Sequence, residues 1–256
     1  MKLIFNLILL ALPLSVMLAQ QPDATAIMNR TRDLTLTGSM SASVSLIITE
    51  KNGSIRKRTI SMTTKSFADG SEKRLIRFVE PADVKGTSML IYDNKDKADE
   101  MWIYLPALKK TRRIVSSEKG KSFMSSEFTN ADFTSPSPAD FNNSHLEGSG
   151  NSKVWIIESR PVNDEKASEY GFSRKVSYVE EDTYVLKKME FYNFENRLYK
   201  KIEVRAVEPG KNGSYLIKDM YAENILNGRN SEIKFNNIGM NQKIEDSVFT
   251  LQNLEK

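Results

Sequence analysis

The chain contains 256 residues, of which 39% are hydrophobic and 27% charged, and its formal net charge is +4. These proportions are typical of a globular protein and exclude a largely disordered chain. Cysteine is absent, so an apolar core, and not a disulfide framework, must stabilise the fold.

The N-terminus has the form of a signal peptide. Lys2 precedes an apolar run over residues 3–18, which Asn6 and Pro13 interrupt. A permanent transmembrane helix needs about 20 uninterrupted apolar residues, so this run is too short and too broken for one. We therefore expect residues 1–20 to be a cleaved signal peptide; a membrane anchor is the alternative.

The rest of the chain is expected to be exported. No cysteine follows the signal-like segment to carry a diacylglycerol group. We therefore expect residues 21–256 to form a single domain that is free in the periplasm and is not lipidated. The mild positive charge allows attraction to anionic lipid headgroups or to acidic partners. Nucleic acid is not expected as a partner, because an exported protein has little access to it.

The periodicity of the chain changes after one helix near its start. Residues 22–34 predict that helix, because Asp23 or Thr25 can cap it. Apolar residues then alternate with a period of two, which is typical of strands with one buried face. Asn52-Gly53 separates the first two alternating segments and predicts a hairpin with a type I′ turn. The predicted strands are residues 43–49, 55–64, 74–78, 87–92, 101–105, 153–160, 174–179, 184–192, 198–207, 214–222 and 231–238.

This number of strands with short connections predicts a mainly β fold, built as an antiparallel meander. One long connection interrupts it. Residues 116–150 are rich in Ser, Asn and Pro but also carry several aromatic side chains. Loops of this length in a compact domain are usually functional or mobile. Two interpretations stay open: the aromatic residues plug the end of the sheet, or residues 116–141 form a lid.

The residues that catalysis requires are scarce. His145 is the only histidine, and no second histidine or cysteine exists to hold zinc with it. No Gly-x-Ser-x-Gly elbow is present, so His145 is expected to be an exposed loop residue. Residues 93–99 do not fit an EF-hand, because Lys95 and Lys97 occupy ligand positions. We therefore expect no enzyme activity, no metal and no cofactor; a hydrolase with a carboxylate pair is the alternative.

The predicted strand at residues 101–105 is apolar on both faces. Trp102 and Tyr104 point to one side, and Met101, Ile103 and Leu105 point to the other. A strand of this kind is either covered on both sides or faces an apolar ligand on one of them. An ordinary core and a ligand cavity are therefore both consistent with this pattern.

A basic cluster follows this strand after Pro106. It consists of Lys109, Lys110, Arg112 and Arg113. Because like charges repel one another, these side chains are either solvated or bound to anions. The candidate anions are phospholipid headgroups, an acidic partner, or carboxylates of the following loop.

These residues also carry a family resemblance. The segment Trp-Ile-Tyr-Leu-Pro-Ala-Leu-Lys-Lys at residues 102–110 resembles a signature of LolA-like outer-membrane lipoprotein-sorting proteins. The other similar segments are residues 83–87, 112–114, 122–132, 190–192 and 198–200. One departure is Ser125, which stands after Met124 where the family often has glycine.

The resemblance implies a curved antiparallel sheet that forms an incomplete LolA-like half-barrel around short helices. It also implies an apolar cavity that accepts acyl chains, and a periplasmic role in moving lipids or lipoproteins toward the outer membrane. Some relatives of this kind resemble companions of RND-type (MMPL-like) exporters. The alternative function is therefore an accessory module of such an exporter, without a lipid-carrying role of its own.

The leading hypothesis is a lipid or lipoprotein carrier. In it, Lys109, Lys110, Arg112 and Arg113 contact headgroups or a membrane partner. The residues expected to border the cavity are Leu90, Tyr92, Trp102, Tyr104, Phe123, Met124 and Phe128.

Overall fold

The computed structural model describes residues 21–35, 38–94, 97–148 and 153–256. The expected signal peptide, residues 1–20, lies outside these ranges. Among the helices in the described part of the chain, none is both long enough and apolar enough to cross a membrane.

Thirteen antiparallel strands form one sheet in the described residues. The strands are β1 (Met40–Thr49), β2 (Ile55–Ser66), β3 (Glu72–Glu80), β4 (Ser88–Asp93), β5 (Glu100–Leu105), β6 (Lys110–Ile114), β7 (Phe141–His145), β8 (Val154–Pro161), β9 (Arg174–Glu180), β10 (Leu186–Tyr192), β11 (Leu198–Pro209), β12 (Tyr215–Asn224) and β13 (Arg229–Met240). The helices are α1 (Ala24–Leu34), α2 (Ser116–Lys119), α3 (Asp164–Tyr170) and α4 (Leu251–Leu254).

The strand order is β6-β5-β4-β3-β2-β1-β13-β12-β11-β10-β9-β8-β7. Neighbours in the sheet are neighbours in the chain everywhere except at the β1–β13 pair, which joins the two halves. The sheet has two edges, β6 and β7, and does not close into a barrel. The prediction of a mainly β fold with one open antiparallel sheet is confirmed.

This topology dictates the path of one long segment. Because β6 and β7 follow one another in the chain but lie at opposite edges, the residues between them must cross the whole sheet. We call residues 115–140 the crossing segment. Its side chains Phe123, Phe128 and Phe133 are buried in the main apolar core, so the segment lies against one face of the sheet.

That face, here called the inner face, carries most of the core. Every second residue of β1 is buried, from Met40 to Ile48, as the alternation of a half-covered strand requires. α1 covers another part of this face, where Ile27 packs with Trp155 and Val179. The predicted helix is confirmed, and Asp23 caps it by accepting the Ala26 N–H at 2.9 Å.

A buried ion-pair network attaches the crossing segment to α3. Lys119 at the end of α2 donates to Glu169 at 2.6 Å, and both side chains are almost fully buried. Gly120 and Gly171 follow these helices, and their backbones touch so closely that a Cβ on Gly120 would lie 2.8 Å from the Gly171 Cα. The two glycines therefore allow a contact that any side chain would prevent.

The opposite, outer face is covered in part by residues 244–255, here called the C-terminal segment. It contains a short 3-10 turn, Asp246–Phe249, and α4. Phe249 and Leu254 are fully buried against Leu75 and Leu90. The strands β3 to β5 are therefore covered on both of their faces.

Each predicted strand corresponds to an observed one, but β6 and β7 were not predicted. Both are edge strands with polar sequences, so they lack the apolar alternation by which strands are recognised. β7 lies inside the predicted loop 116–150. The expectation of an exposed loop histidine is therefore wrong: His145 ends β7, and its Nε2 lies 2.7 Å from the Pro22 carbonyl oxygen.

The hairpin at Asn52-Gly53 forms with a different turn from the predicted one. Gly53 has a φ of 84°, whereas Asn52 does not have a positive φ. A type I′ turn needs a positive φ at both positions. The Asn52 side chain instead accepts a hydrogen bond from the Ser54 N–H at 3.0 Å, and this contact stabilises the turn.

Candidate functional site

A cavity of about 300 Å³ lies between the inner face of the sheet, α1 and the crossing segment. Its volume is at the lower end of the range of about 300–1,000 Å³ that ligand pockets occupy. Most of the wall is apolar. Its apolar side chains are Met28, Met40, Met62, Phe128, Ala131, Phe133, Pro136, Phe141, Tyr170, Phe172, Leu186, Met189, Phe191, Ile202, Leu216, Ile217, Met220 and Phe235.

The second half of the sheet supplies half of these apolar side chains, several of them through strand alternation. Met189 and Phe191 are two residues apart on β10 and therefore point to the same face. Met189 pairs with Ile202 of β11, and Met220 of β12 pairs with Ile233 of β13. Methionine side chains are unbranched and polarisable, so this wall can adapt to apolar ligands of different shapes.

Polar contacts at one side of the cavity hold the crossing segment in place. The Ser135 N–H donates to Asp93 Oδ2 at 2.8 Å. Arg74 donates to the Phe133 carbonyl oxygen and forms an ion pair with Glu72. The segment is thus attached to β3 and β4 directly beside the residues with which it lines the cavity.

Asp93 is an unusual anchor because it is almost fully buried. Burial raises the pKa of this carboxyl to about 6; Arg74 opposes the rise, and the negative charges of Asp99 and Glu72 add to it. A carboxylate that is ionised at neutral pH in this position carries a desolvation penalty. The Ser135 N–H compensates only part of that penalty.

A second titratable group, Lys175 of β9, lines the cavity itself. Its Nζ lies 5.2 Å from the centroid of the Phe141 ring. Burial lowers its pKa to about 8; Asp132 opposes this change, and the positive charge of Lys200 adds to it. Asp132 is already engaged, because Lys200 Nζ lies 2.9 Å from its Oδ2.

The structure separates the residues that the sequence grouped as one cavity. Phe128 lines the cavity. Phe123 is fully buried beside it, with its ring centroid 4.2 Å from that of Phe133, and Met124 packs against the same core. The remaining four, Leu90, Tyr92, Trp102 and Tyr104, lie on the outer face.

The position of these four residues has a direct physical reason. Strand alternation sends Met101 and Ile103 to the inner face and Trp102 to the outer face, where the C-terminal segment covers it. The Tyr92 hydroxyl donates to the Phe249 carbonyl oxygen at 2.6 Å. The strand is apolar on both faces because protein covers both. The expectation that all seven residues border one cavity therefore does not match their placement, and a lipid contact on the outer face stays a prediction.

The basic cluster lies at the β6 edge, and its four side chains are exposed. Arg112 pairs with Glu118 at 2.7 Å, and Arg113 lies 3.4 Å from Glu100. Within the described residues, Lys109 and Lys110 have no carboxylate partner. Leu108 and Val115 flank the cluster and are 68% and 52% exposed. This edge therefore presents cations next to apolar side chains.

Most of the cavity wall was not assigned from the sequence. The alternation in β10 to β13 was recognised as strand structure, and it shows which residues share a face. It does not show which face is roofed by α1 and the crossing segment, because that depends on the contacts between distant parts of the chain. The sequence around Lys175 does not distinguish it from any other lysine in a strand.

The fold of the described residues is shared with solved structures of other proteins. The described structure is similar to that of an outer membrane lipoprotein-sorting protein domain from Vibrio parahaemolyticus, with a TM-score of 0.82 and 24% identity over 91% of this chain and 98% of that one. A LolA superfamily protein from Nitrosomonas europaea has a TM-score of 0.70 and 16% identity over 91% and 100%. The fold is LolA-like, as the sequence resemblance implied.

The family is shown by a second comparison. A family model described as "Uncharacterized protein" matches residues 70–256, and the chain belongs to that family. A DUF1329 family protein from Desulfovibrio piger has a similar structure, with a TM-score of 0.80 and 27% identity over 90% of this chain and 97% of that one. No curated protein matches the chain.

Proposed function

We propose that the protein is a periplasmic carrier that binds acyl chains of lipids or lipoproteins and moves them toward the outer membrane. The observation that carries this proposal is the apolar cavity of about 300 Å³ beneath the crossing segment. Each CH₂ group that leaves water for such a site contributes about 0.8 kcal/mol. An acyl chain can therefore be held firmly without covalent chemistry, and no catalytic residue or cofactor is assigned.

The crossing segment is the movable part of this proposal. It roofs the cavity with Phe128, Ala131 and Phe133. Several polar contacts hold it, among them Ser135 on Asp93, Phe133 on Arg74, Lys119 on Glu169, Glu127 on Arg229 and Asp132 on Lys200. Opening of the segment would require these contacts to break while the strand pairs of the sheet beneath it stay intact, as in the local opening of other native proteins. Residues 116–141 would thus serve as the lid through which the acyl chain enters.

The basic edge is proposed as the surface that meets the membrane. Lys109 and Lys110 would contact anionic headgroups, while Leu108 would rest at the acyl boundary; each cation near such a surface is worth about 1 kcal/mol. The accessory-module alternative has no described feature of its own in its favour. An absence of bound lipid in the purified protein would favour it.

The test compares the lipid content of three proteins that are purified without detergent and extracted with organic solvent. Met220→Glu places a carboxylate in the cavity wall, and Leu226→Glu changes an exposed apolar residue outside that wall in the same way. We expect wild type and Leu226→Glu to yield acyl lipid, and Met220→Glu to yield at least about tenfold less, because an unpaired buried charge is strongly unfavourable. Circular dichroism checks that each variant is folded. Equal lipid in Met220→Glu and wild type would refute the assigned cavity.

A further inference from the structure

The charges in the cavity wall do not balance. Three ion pairs include wall residues: Arg32 with Asp33 at 3.2 Å, Arg74 with Glu72, and Lys200 with Asp132 at 2.9 Å. The remaining charged side chain of the wall is Lys175. Among the described residues, no carboxylate lies within ion-pair distance of its Nζ. The wall and its ion-pair partners therefore carry one excess positive charge.

The surroundings of Lys175 compensate this charge only in part, since Asp132 attracts it without forming an ion pair with it. Its cross-strand neighbours are Ser159 on β8 and Phe191 on β10. The Ser159 hydroxyl donates to Asn143 at 2.7 Å. The ring of Phe141 offers a cation–π contact at 5.2 Å, which is far weaker than an ion pair in a desolvated site. With a pKa of about 8, the amine is still largely protonated at neutral pH.

A second polar group in the wall is also unsatisfied. Thr31 of α1 lines the cavity, is 4% exposed, and its Oγ1 makes no hydrogen bond within the described residues. Buried hydroxyl groups are nearly always hydrogen-bonded, so each exception calls for an explanation. A hydroxyl can donate to an anion, as an ammonium group does. Both unsatisfied groups thus fit the same ligand chemistry.

We infer that the cavity takes a single-chain amphiphile with an acid headgroup, and that this headgroup lies inside the cavity on Lys175 while its chain lies along the methionine and phenylalanine wall. The inference rests on the proposed carrier function and narrows its cargo. An acyl chain attached to a lipoprotein has no free acid group to offer Lys175. A fatty acid carboxylate or the phosphate of a single-chain lipid does.

The test uses three probes of equal chain length: dodecanoic acid, dodecanol and dodecanoyl lysophosphatidic acid. Calorimetry at pH 7 measures their binding to wild type, to Lys175→Met, and to Lys187→Met as a control. Lys187 is an exposed residue of β10 and lies outside the cavity wall. We expect wild type and Lys187→Met to bind at least one acid about tenfold or more tightly than the alcohol, as a charge-assisted hydrogen bond implies. In Lys175→Met we expect the alcohol to bind as before and the preference to vanish.

The outcomes separate the two levels of the proposal. Equal binding of the acids and the alcohol by wild type, or a preference that survives in Lys175→Met, overturns the inference and leaves an apolar carrier. Binding of none of the three probes by wild type overturns the carrier function itself. If the inference holds, the acid that is bound more tightly shows whether the cavity recognises a carboxylate or a phosphate.

Discussion

Two titratable groups with displaced pKa values, Lys175 in the cavity wall and Asp93 beneath the crossing segment, stand out at the scale of single residues. Lys175 and Asp93 have pKa values displaced in opposite senses, toward about 8 and about 6, and in both cases burial is the main cause. Each shift means that the folded state disfavours the charged form. The two groups therefore make the stability of the protein depend on pH in two separate windows.

For Lys175, the folded protein loses its proton near pH 8, whereas the unfolded chain keeps it to about pH 10.5. The unfolded state binds more protons in this window, so the free energy of unfolding of wild type should rise between pH 8 and pH 10.5. Lys175→Met removes the penalty that is present below pH 8. We expect the variant to be more stable than wild type by about 1–3 kcal/mol at pH 7 and to lack the rise contributed by Lys175.

Urea denaturation at several pH values measures this difference, with Lys187→Met as the control that should follow wild type. A Lys175→Met variant that is less stable at pH 7 than wild type would contradict the uncompensated charge. It would mean that the ammonium group contributes a favourable contact that outweighs its burial.

For Asp93, the direction is reversed. Its folded pKa of about 6 lies above the ordinary value of 3.8, so the folded state binds the proton more readily and wild type should lose stability as the pH rises from about 4 to 6. Asp93→Asn keeps an acceptor for the Ser135 N–H without the charge. We expect it to be about 1–3 kcal/mol more stable than wild type at pH 7, with a much smaller gain at pH 4.

Denaturation midpoints at pH 4 and pH 7 measure the difference in stability between Asp93→Asn and wild type. If Asp93→Asn is destabilised at pH 7, the ionised carboxylate is stabilised by Arg74 more than burial opposes it. In that case the crossing segment is attached by an ion pair and not by a neutral hydrogen bond.

At the scale of elements, the crossing segment determines what the sheet can enclose. It begins at one sheet edge and ends at the other, and a single buried network fixes it to α3. The backbone contact between Gly120 and Gly171 brings α2 and α3 together. The stability of the cavity roof therefore depends on this contact, which lies next to the wall residues Tyr170 and Phe172.

Gly120→Ala tests this dependence. The added methyl group would lie 2.8 Å from backbone atoms of Gly171, so the two helices must separate. We expect a loss of about 1–3 kcal/mol in the free energy of unfolding, as for other overpacked sites, together with faster release of a bound acyl probe. Gly148→Ala is the matched control, because its methyl group would make an ordinary contact at 3.6 Å with Ile156.

Thermal denaturation and stopped-flow displacement of the probe provide the two measurements. Release that is unchanged in a destabilised Gly120→Ala protein would show that the crossing segment does not control access. The control should match wild type in both measurements.

At the scale of the whole molecule, the strand alternation was enough to predict an open antiparallel sheet. The Trp102 to Lys110 block was enough to indicate the LolA-like fold. The sequence could not show that Trp102 lies beneath the C-terminal segment, because a strand that is apolar on both faces has the same pattern whether a ligand or the chain itself covers it. The cavity wall depends on how residues 115–140 and α1 roof β10 to β13, which is a contact between distant segments. The unpaired charge of Lys175 can be recognised only from the structure, because the structure shows which neighbouring charged side chains form ion pairs.

The location of the bound acyl chain is the most direct test of the carrier function. A fatty acid with a photoreactive diazirine on its chain is bound to the purified protein and activated, and the labelled residues are identified by mass spectrometry. We expect labels on the inner face, at Met189, Met220 and the neighbouring residues of the cavity wall, and their loss when unlabelled dodecanoic acid competes. Labels confined to the outer face around Leu90 and Trp102, or labels that no competitor removes, would contradict the carrier cavity described here.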